Sequence, residues 1–194
     1  MKNVTILLSL LICLGCTPSV KKEGSFPDRA VMLKAEYAKY ENFFPIATLD
    51  LKEKGITDKI HVMYVAIDPD NDDDSFFPGN DYLDEFTFHI SKDGLYTPTF
   101  KKSVLKISSD FRGYFNEGKS IYDKRNLRKS HGNLVQTLSK PEWWQYDQTP
   151  LNSKKQKMTF ICQVNISYLF NDDCRLYVFY DKADRVVKYI YQRT

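Results

Sequence analysis

MTFICQVNISYLF (158–170), NDD (171–173), CRLYVFY (174–180), DKAD (181–184) and RVVKYIY (185–191) form a continuous stretch near the C-terminus. Three runs rich in Val, Ile, Phe and Tyr alternate with two short acidic clusters. β-branched and aromatic side chains suit a pleated surface, and Asn and Asp favour tight turns. In the last run Val186, Lys188 and Ile190 oppose Val187, Tyr189 and Tyr191, the period of two that marks a strand with two different faces. Links this short join antiparallel neighbours, since a parallel crossover needs a dozen residues or more. The stretch therefore predicts an antiparallel meander.

Upstream, Ser130 is placed to cap a short helix containing Leu134, Val135 and Leu138, which Pro141 ends. Trp143, Trp144 and Tyr146 follow, then a polar loop through Lys157. If the tryptophans lie on a strand, their side chains point to opposite faces, one toward the core and one toward solvent or a partner. Core packing for both is the alternative reading. Residues 100–115 admit two readings as well. Phe100, Val104, Ile107, Phe111 and Phe115 fit a helix, yet Val104 to Ile107 also passes for a short strand.

Nearer the N-terminus, Phe86, Phe88 and Ile90 alternate with Thr87 and His89, and Lys92-Asp93-Gly94 signals a hairpin turn. Lys59 to Ile67 is almost continuously apolar and reads as a central strand. Ala47, Leu49 and Leu51 alternate with polar neighbours. Ser25-Phe26-Pro27-Asp28 offers helix-start chemistry, and Ala30, Leu33, Tyr37, Tyr40 and Phe44 follow at spacings of three and four, one face of a helix. The order helix, strands, helix, strands predicts an α+β fold: one domain over residues 25–194, an antiparallel sheet with helices packed on one face.

The chain begins with Lys2 and an apolar run, Val4 to Leu14, too short for the ~20 residues a membrane span needs, so it reads as a signal h-region. Ile12-Cys13-Leu14-Gly15-Cys16 resembles the bacterial lipobox, with Gly15 before the cysteine and Cys13 standing where Leu is usual. That resemblance implies a signal peptide over residues 1–15, a lipid on Cys16 and a membrane contact made through that lipid. An ordinary secretory signal cut near Gly15 or Cys16 is the alternative. Residues 16–24 turn polar and read as a tether. Thr17 after the cysteine, in place of Asp, resembles an outer-membrane address facing the periplasm.

Among 194 residues the formal net charge is +3, with lysines and arginines spread along the chain. That pattern lacks the dense basic patch of a nucleic-acid binder. With Cys13 removed and Cys16 lipidated, Cys162 and Cys174 remain. In an oxidising compartment such a pair is a disulfide candidate, worth ~3 kcal/mol for a loop of about a dozen residues. Two free thiols are the other reading.

Residues 128–191 have a recognisable cadence. Arg128 to Pro141 ends in Leu138-Ser139-Lys140-Pro141, Trp144-Gln145-Tyr146 follows, and Cys174-Arg175-Leu176-Tyr177-Val178-Phe179-Tyr180-Asp181 leads to Arg185-Val186-Val187. Over this third of the chain the pattern resembles the SmpA/OmlA (BamE-like) lipoproteins and the β-lactamase-inhibitor-protein-like fold, with Ser139 in place of the usual Gly. The resemblance implies a helix before Pro141, a strand at Trp144-Gln145-Tyr146, a terminal hairpin and a role in protein binding.

Catalytic patterns are sparse. Asp68, Asp70 and Asp72 alternate as calcium-loop ligands do, but Asp73 replaces the expected glycine and no glutamate closes the loop, so a solvated acidic loop is the better reading. His61, His89 and His131 lie far apart, with no nucleophile elbow or metal spacing near them. Asp84 and Glu85 would point to opposite faces of a strand. The residues favour a non-catalytic protein with no cofactor, binding another envelope protein through Trp143, Trp144 and Tyr146. The alternative is an immunity or inhibitor protein whose acidic loop enters the cleft of a secreted toxin or cell-wall hydrolase.

Overall fold

The computed structural model describes residues 21–71, 84–127, 134–170 and 172–193. The expected signal segment, Cys16, Asp72 and His131 lie outside them. Nine strands build two antiparallel sheets. The smaller has the order β1-β2-β3, from Lys21–Ser25, Phe43–Asp50 and Ile60–Val65. The larger has the order β5-β4-β9-β8-β7-β6. Its strands are β4 (Glu85–Ile90), β5 (Tyr96–Pro98), β6 (Val135–Gln136), β7 (Thr159–Asn165), β8 (Cys174–Asp181) and β9 (Val186–Arg193). Two helices complete the fold, α1 (Ala35–Ala38) and α2 (Ser109–Leu127). The α+β class is as the sequence predicts, with the antiparallel strands divided between two sheets.

The C-terminal meander forms as its alternation requires. Cys174, Leu176, Val178 and Tyr180 on β8 join Val187, Tyr189 and Tyr191 on β9 in the main core. Tyr177, Phe179 and Ile190 point the other way and form a second apolar cluster with Met158. β7 stops at Asn165, whose side chain accepts from the Ser167 amide and starts a 3-10 turn over Ile166–Tyr168. The strand read over Met158 to Phe170 is shorter for that reason.

Several expected elements differ. Residues 21–25, assigned mostly to a tether, pair with β2 as β1, with a bulge between Lys22 and Gly24. The helix expected over residues 25–44 is reduced to a single turn at Arg29–Val31, capped by Asp28, and the four-residue α1. Met32 and Leu33 are both fully buried. Tyr96 on β5 instead captures this segment, accepting from the Lys34 amide and donating its own to Met32. The helix expected at Leu134–Leu138 is replaced by β6, where Val135 and Gln136 pair with Val164 and Gln163. Residues 102–105 form a 3-10 turn, and α2 starts after Ser108, whose hydroxyl accepts from the Phe111 amide.

Lys59 to Ile67 yields β3, buried throughout as a central strand would be, yet it stands at the edge of its sheet. Tyrosine hydroxyls from the larger sheet occupy that edge. The His61 amide donates to Tyr96 (2.9 Å), the His61 carbonyl accepts from Tyr189 (2.7 Å), and the Val65 amide donates to Tyr191 (3.1 Å). Burial pushes the ionisation of all three phenols well above the ordinary tyrosine value, so the hydroxyls keep their protons. On the β2 side of the strand, Thr48 meets His61 Nδ1 at 2.9 Å.

A second tie between the sheets is ionic. Arg185 sits at φ 51 at the start of β9 and grips Asp58 through Nη2 at 2.6 Å and Nε at 3.1 Å. Tyr180 donates to the same carboxylate at 2.6 Å. The Arg185 hydrogen bonds, assisted by Tyr180, hold Asp58 below the usual carboxylate range against the opposing effect of burial.

Two outcomes follow for stability. Tyr189→Phe leaves the buried His61 carbonyl unpaired and is expected to cost ~1–3 kcal/mol in urea unfolding, whereas Tyr146→Phe, on the exposed surface, is expected to be neutral. Because Asp58 ionises more readily folded than unfolded, its contribution is complete above about pH 4 and is lost as pH falls through its folded value. Asp58→Asn should therefore lower stability at neutral pH and flatten the acid limb of a melting-temperature profile. An unchanged acid limb would remove Asp58 from that role.

Candidate functional site

The outer face of the larger sheet carries the aromatic residues singled out in the sequence. Trp143, Trp144 and Tyr146 lie on no strand; residues 139–150 form an irregular strap across this face. Trp143 packs onto the second apolar cluster, its ring 4.4 Å from Tyr177 and stacked 5.8 Å from Phe179. It lies as a half-buried lid on the sheet. Trp144 is half-buried, its ring covered by the Arg175 guanidinium 4.6 Å from the centroid. Tyr146 is 63% exposed.

Two buried glutamines pin the strap. The Gln192 carbonyl accepts from the amides of Trp144 (2.8 Å) and Gln145 (3.1 Å), while its amide donates to the Tyr146 carbonyl (2.9 Å) and to Gln148 (2.8 Å). Gln163 accepts from the Glu142 amide at 2.9 Å and donates to Gln136 at 2.8 Å. Tyr177 donates to the Glu142 carbonyl at 2.8 Å and accepts from the Trp144 amide at 3.0 Å. Buried amides need partners on both ends, and here the strap's own backbone supplies most of them. The alternation that reveals strands carries no trace of this arrangement, because Gln163 and Gln192 read as ordinary polar positions.

The remaining candidates resolve differently. Cys162 pairs in register with Val178, four residues from Cys174 along β8. That offset is ~13 Å at the rise of a strand, far beyond the Cα separation of a disulfide. Both are free, buried thiols, and burial pushes their ionisation far above the ordinary cysteine value. The expected disulfide is thereby corrected.

Asp68 is turned inward and structural. Its two oxygens accept from the Asp70 amide (3.1 Å) and the Ser108 amide (2.8 Å), steadying the entry to α2. Burial opposes its ionisation, but the hydrogen bonds from Ser108 and Asp70 outweigh this and hold the carboxyl below its ordinary range. Among the described residues no group of three His, Cys, Asp or Glu is arranged to hold a metal. His61 is buried on β3, and His89 is exposed on β4.

A cleft that the sequence reading misses opens between α2 and the two sheets, with a volume of ≈ 520 Å³. Phe44, Tyr64, Phe86, Phe115 and Phe170 supply its apolar walls, and Asp84, Asp172 and Arg193 stand at one end. Arg193 pairs with Asp84 and lies 3.7 Å from Asp172, which accepts from the Tyr64 hydroxyl at 2.9 Å. Burial, with Asp173 nearby, raises the Asp172 carboxyl above its usual value despite the Tyr64 hydrogen bond. The signal that would have found one wall is the α2 stripe Phe111, Phe115, Gly118, Tyr122, at spacings of three and four. A glycine in that stripe obscures it.

These features define a two-sheet α+β protein with a pinned aromatic strap on one face and an aromatic cleft on the other side of the larger sheet. Comparison with family models, curated proteins and solved structures finds no match. Among the described residues no helix is long and apolar enough to cross a membrane.

The thiol assignment is open to a direct check. Alkylation under denaturing, non-reducing conditions should modify both Cys162 and Cys174 fully, as read by peptide mass spectrometry. A crosslinked peptide joining them would contradict the β7–β8 register.

Proposed function

We propose that this chain is an exported bacterial lipoprotein that acts without catalysis, docking another envelope protein on the strap face. Its anchor is the lipid on Cys16, implied by the lipobox-like Ile12 to Cys16, and its place is the outer membrane, facing the periplasm. One observation carries the docking surface: the exposed Tyr146 and the half-buried Trp144, covered by Arg175 of β8, stand on a strap whose backbone is already held by Gln163, Gln192 and Tyr177. Trp, Arg and Tyr are the residue types that dominate binding energy at protein interfaces. A surface ordered before binding also loses less conformational freedom when a partner arrives.

The test is an affinity capture of the tagged, lipidated protein from crosslinked cells, compared with the double variant Trp144→Ala, Tyr146→Ala. Both side chains sit on a strap held mainly through its backbone, so the fold is expected to persist. Wild type should enrich a defined envelope protein, and the variant should lose it by about tenfold or more. Equal capture by both proteins would overturn the docking surface. Capture of one secreted hydrolase or toxin would replace the envelope partner with the inhibitor role.

A further inference from the structure

The cleft beside α2 is independent of the strap. Its walls include Phe86, and the ring 5.4 Å from Phe86 belongs to Tyr191 on the inner face of the larger sheet, whereas the strap covers the outer face at Tyr177 and Phe179. Docking a protein on the strap makes no use of it. Its volume, ≈ 520 Å³, lies within the ~300–1,000 Å³ typical of small-molecule sites, which combine apolar walls with a few placed polar groups.

The charges are unequal. Asp84, Glu117 and Asp172 line the cleft against Lys119 and Arg193. Lys119 is engaged by Asp123 at 3.1 Å, on the same helix. Arg193 is shared between Asp84 and Asp172, so a single arginine answers two carboxylates while Glu117 adds a third. The excess is negative, and the aromatic faces beside it also favour a cation.

Gly118 gives a second, separate reason to read the space as a site. It occupies the inward stripe of α2, where a large apolar side chain would normally pack. A glycine inside a helix costs ~0.5–1 kcal/mol relative to alanine. Neither an unusual backbone angle nor a tight approach demands it: a Cβ there would meet only Phe170 Cδ1, at an ordinary 3.5 Å. Its effect is to let the Phe170 ring lie close to the helix, with no side chain projecting from this position into the cleft.

We infer that this cleft binds a small amphipathic cation: an aromatic or branched apolar body ending in an ammonium group. The body lies against Phe44, Phe115 and Phe170, and the ammonium is directed to Asp172 and Glu117.

Isothermal titration of the mature protein with tryptamine, tryptophol and indolepropionate separates shape from charge, because the three share one ring system and carry positive, neutral and negative heads. Tryptamine is expected to bind about tenfold more tightly than tryptophol, with indolepropionate weaker still. Glu117→Gln, on the exposed side of α2, should narrow the tryptamine preference while leaving the melting temperature unchanged. Gly118→Leu should fill the cleft and abolish binding of all three without lowering thermal stability. Equal affinities, a preference for the anion, binding that survives Gly118→Leu, or no binding of any probe at millimolar concentration would each overturn the inference.

Discussion

The edge of β3 is where the two sheets become one structure. A strand edge carries a row of backbone amides and carbonyls, and each one buried without a partner costs ~1–3 kcal/mol. In this protein Tyr96, Tyr189 and Tyr191 reach that row from the larger sheet and satisfy His61 and Val65. The same side chains contribute rings to the main core, so apolar burial and polar satisfaction come from one set of residues. Their position also settles what surrounds them. With β3 held against the larger sheet, Phe44 on neighbouring β2 meets Phe115 and Tyr122 of α2 and Phe170 beyond β7.

The larger sheet is apolar on both faces, which leaves two surfaces to cover. The inner face is covered by the smaller sheet. An irregular strap, residues 139–150, closes the outer face over Tyr177 and Phe179. Irregular backbone over a sheet needs partners for its amides and carbonyls, and Gln163, Gln192 and Tyr177 provide them from the sheet itself. The same arrangement holds Trp143 down over Phe179, leaves Trp144 under Arg175 and exposes Tyr146. The cleft arises differently. α2 closes over the aromatic rings at Phe115 and Tyr122, while Gly118 between them contributes no side chain and faces the Phe170 ring.

The C-terminal hairpin was legible residue by residue. Its alternation, its β-branched and aromatic content and its acidic turns are local features, and they act over distances the sequence displays directly. The turn at Lys92-Asp93-Gly94 is of the same kind, with Gly94 at φ 83. The N-terminal helix was misread because its spacing is helical while the backbone of Met32 and Lys34 bonds to Tyr96 of β5. The short helix before Pro141 was misread because Val135 and Gln136 find a partner strand in β7. The segment Trp144-Gln145-Tyr146, expected as a strand, is instead held by the distant Gln192 and Tyr177. In each case a contact between residues far apart in the chain outweighed a local preference, which is a weak force by comparison.

By itself the sequence determined the α+β class, the antiparallel meander and an N-terminal stretch that resembles an export and lipidation signal, because each rests on periodicity or motif within a short window. Only the tertiary structure decided that the strands divide into two sheets, that Cys162 and Cys174 lie four residues out of register, that Trp143 stacks on Phe179 while Trp144 lies under Arg175, and that a cleft opens beside α2. Those outcomes depend on which side chains satisfy which buried backbone groups, and long-range pairing of that kind leaves no periodic mark on the chain.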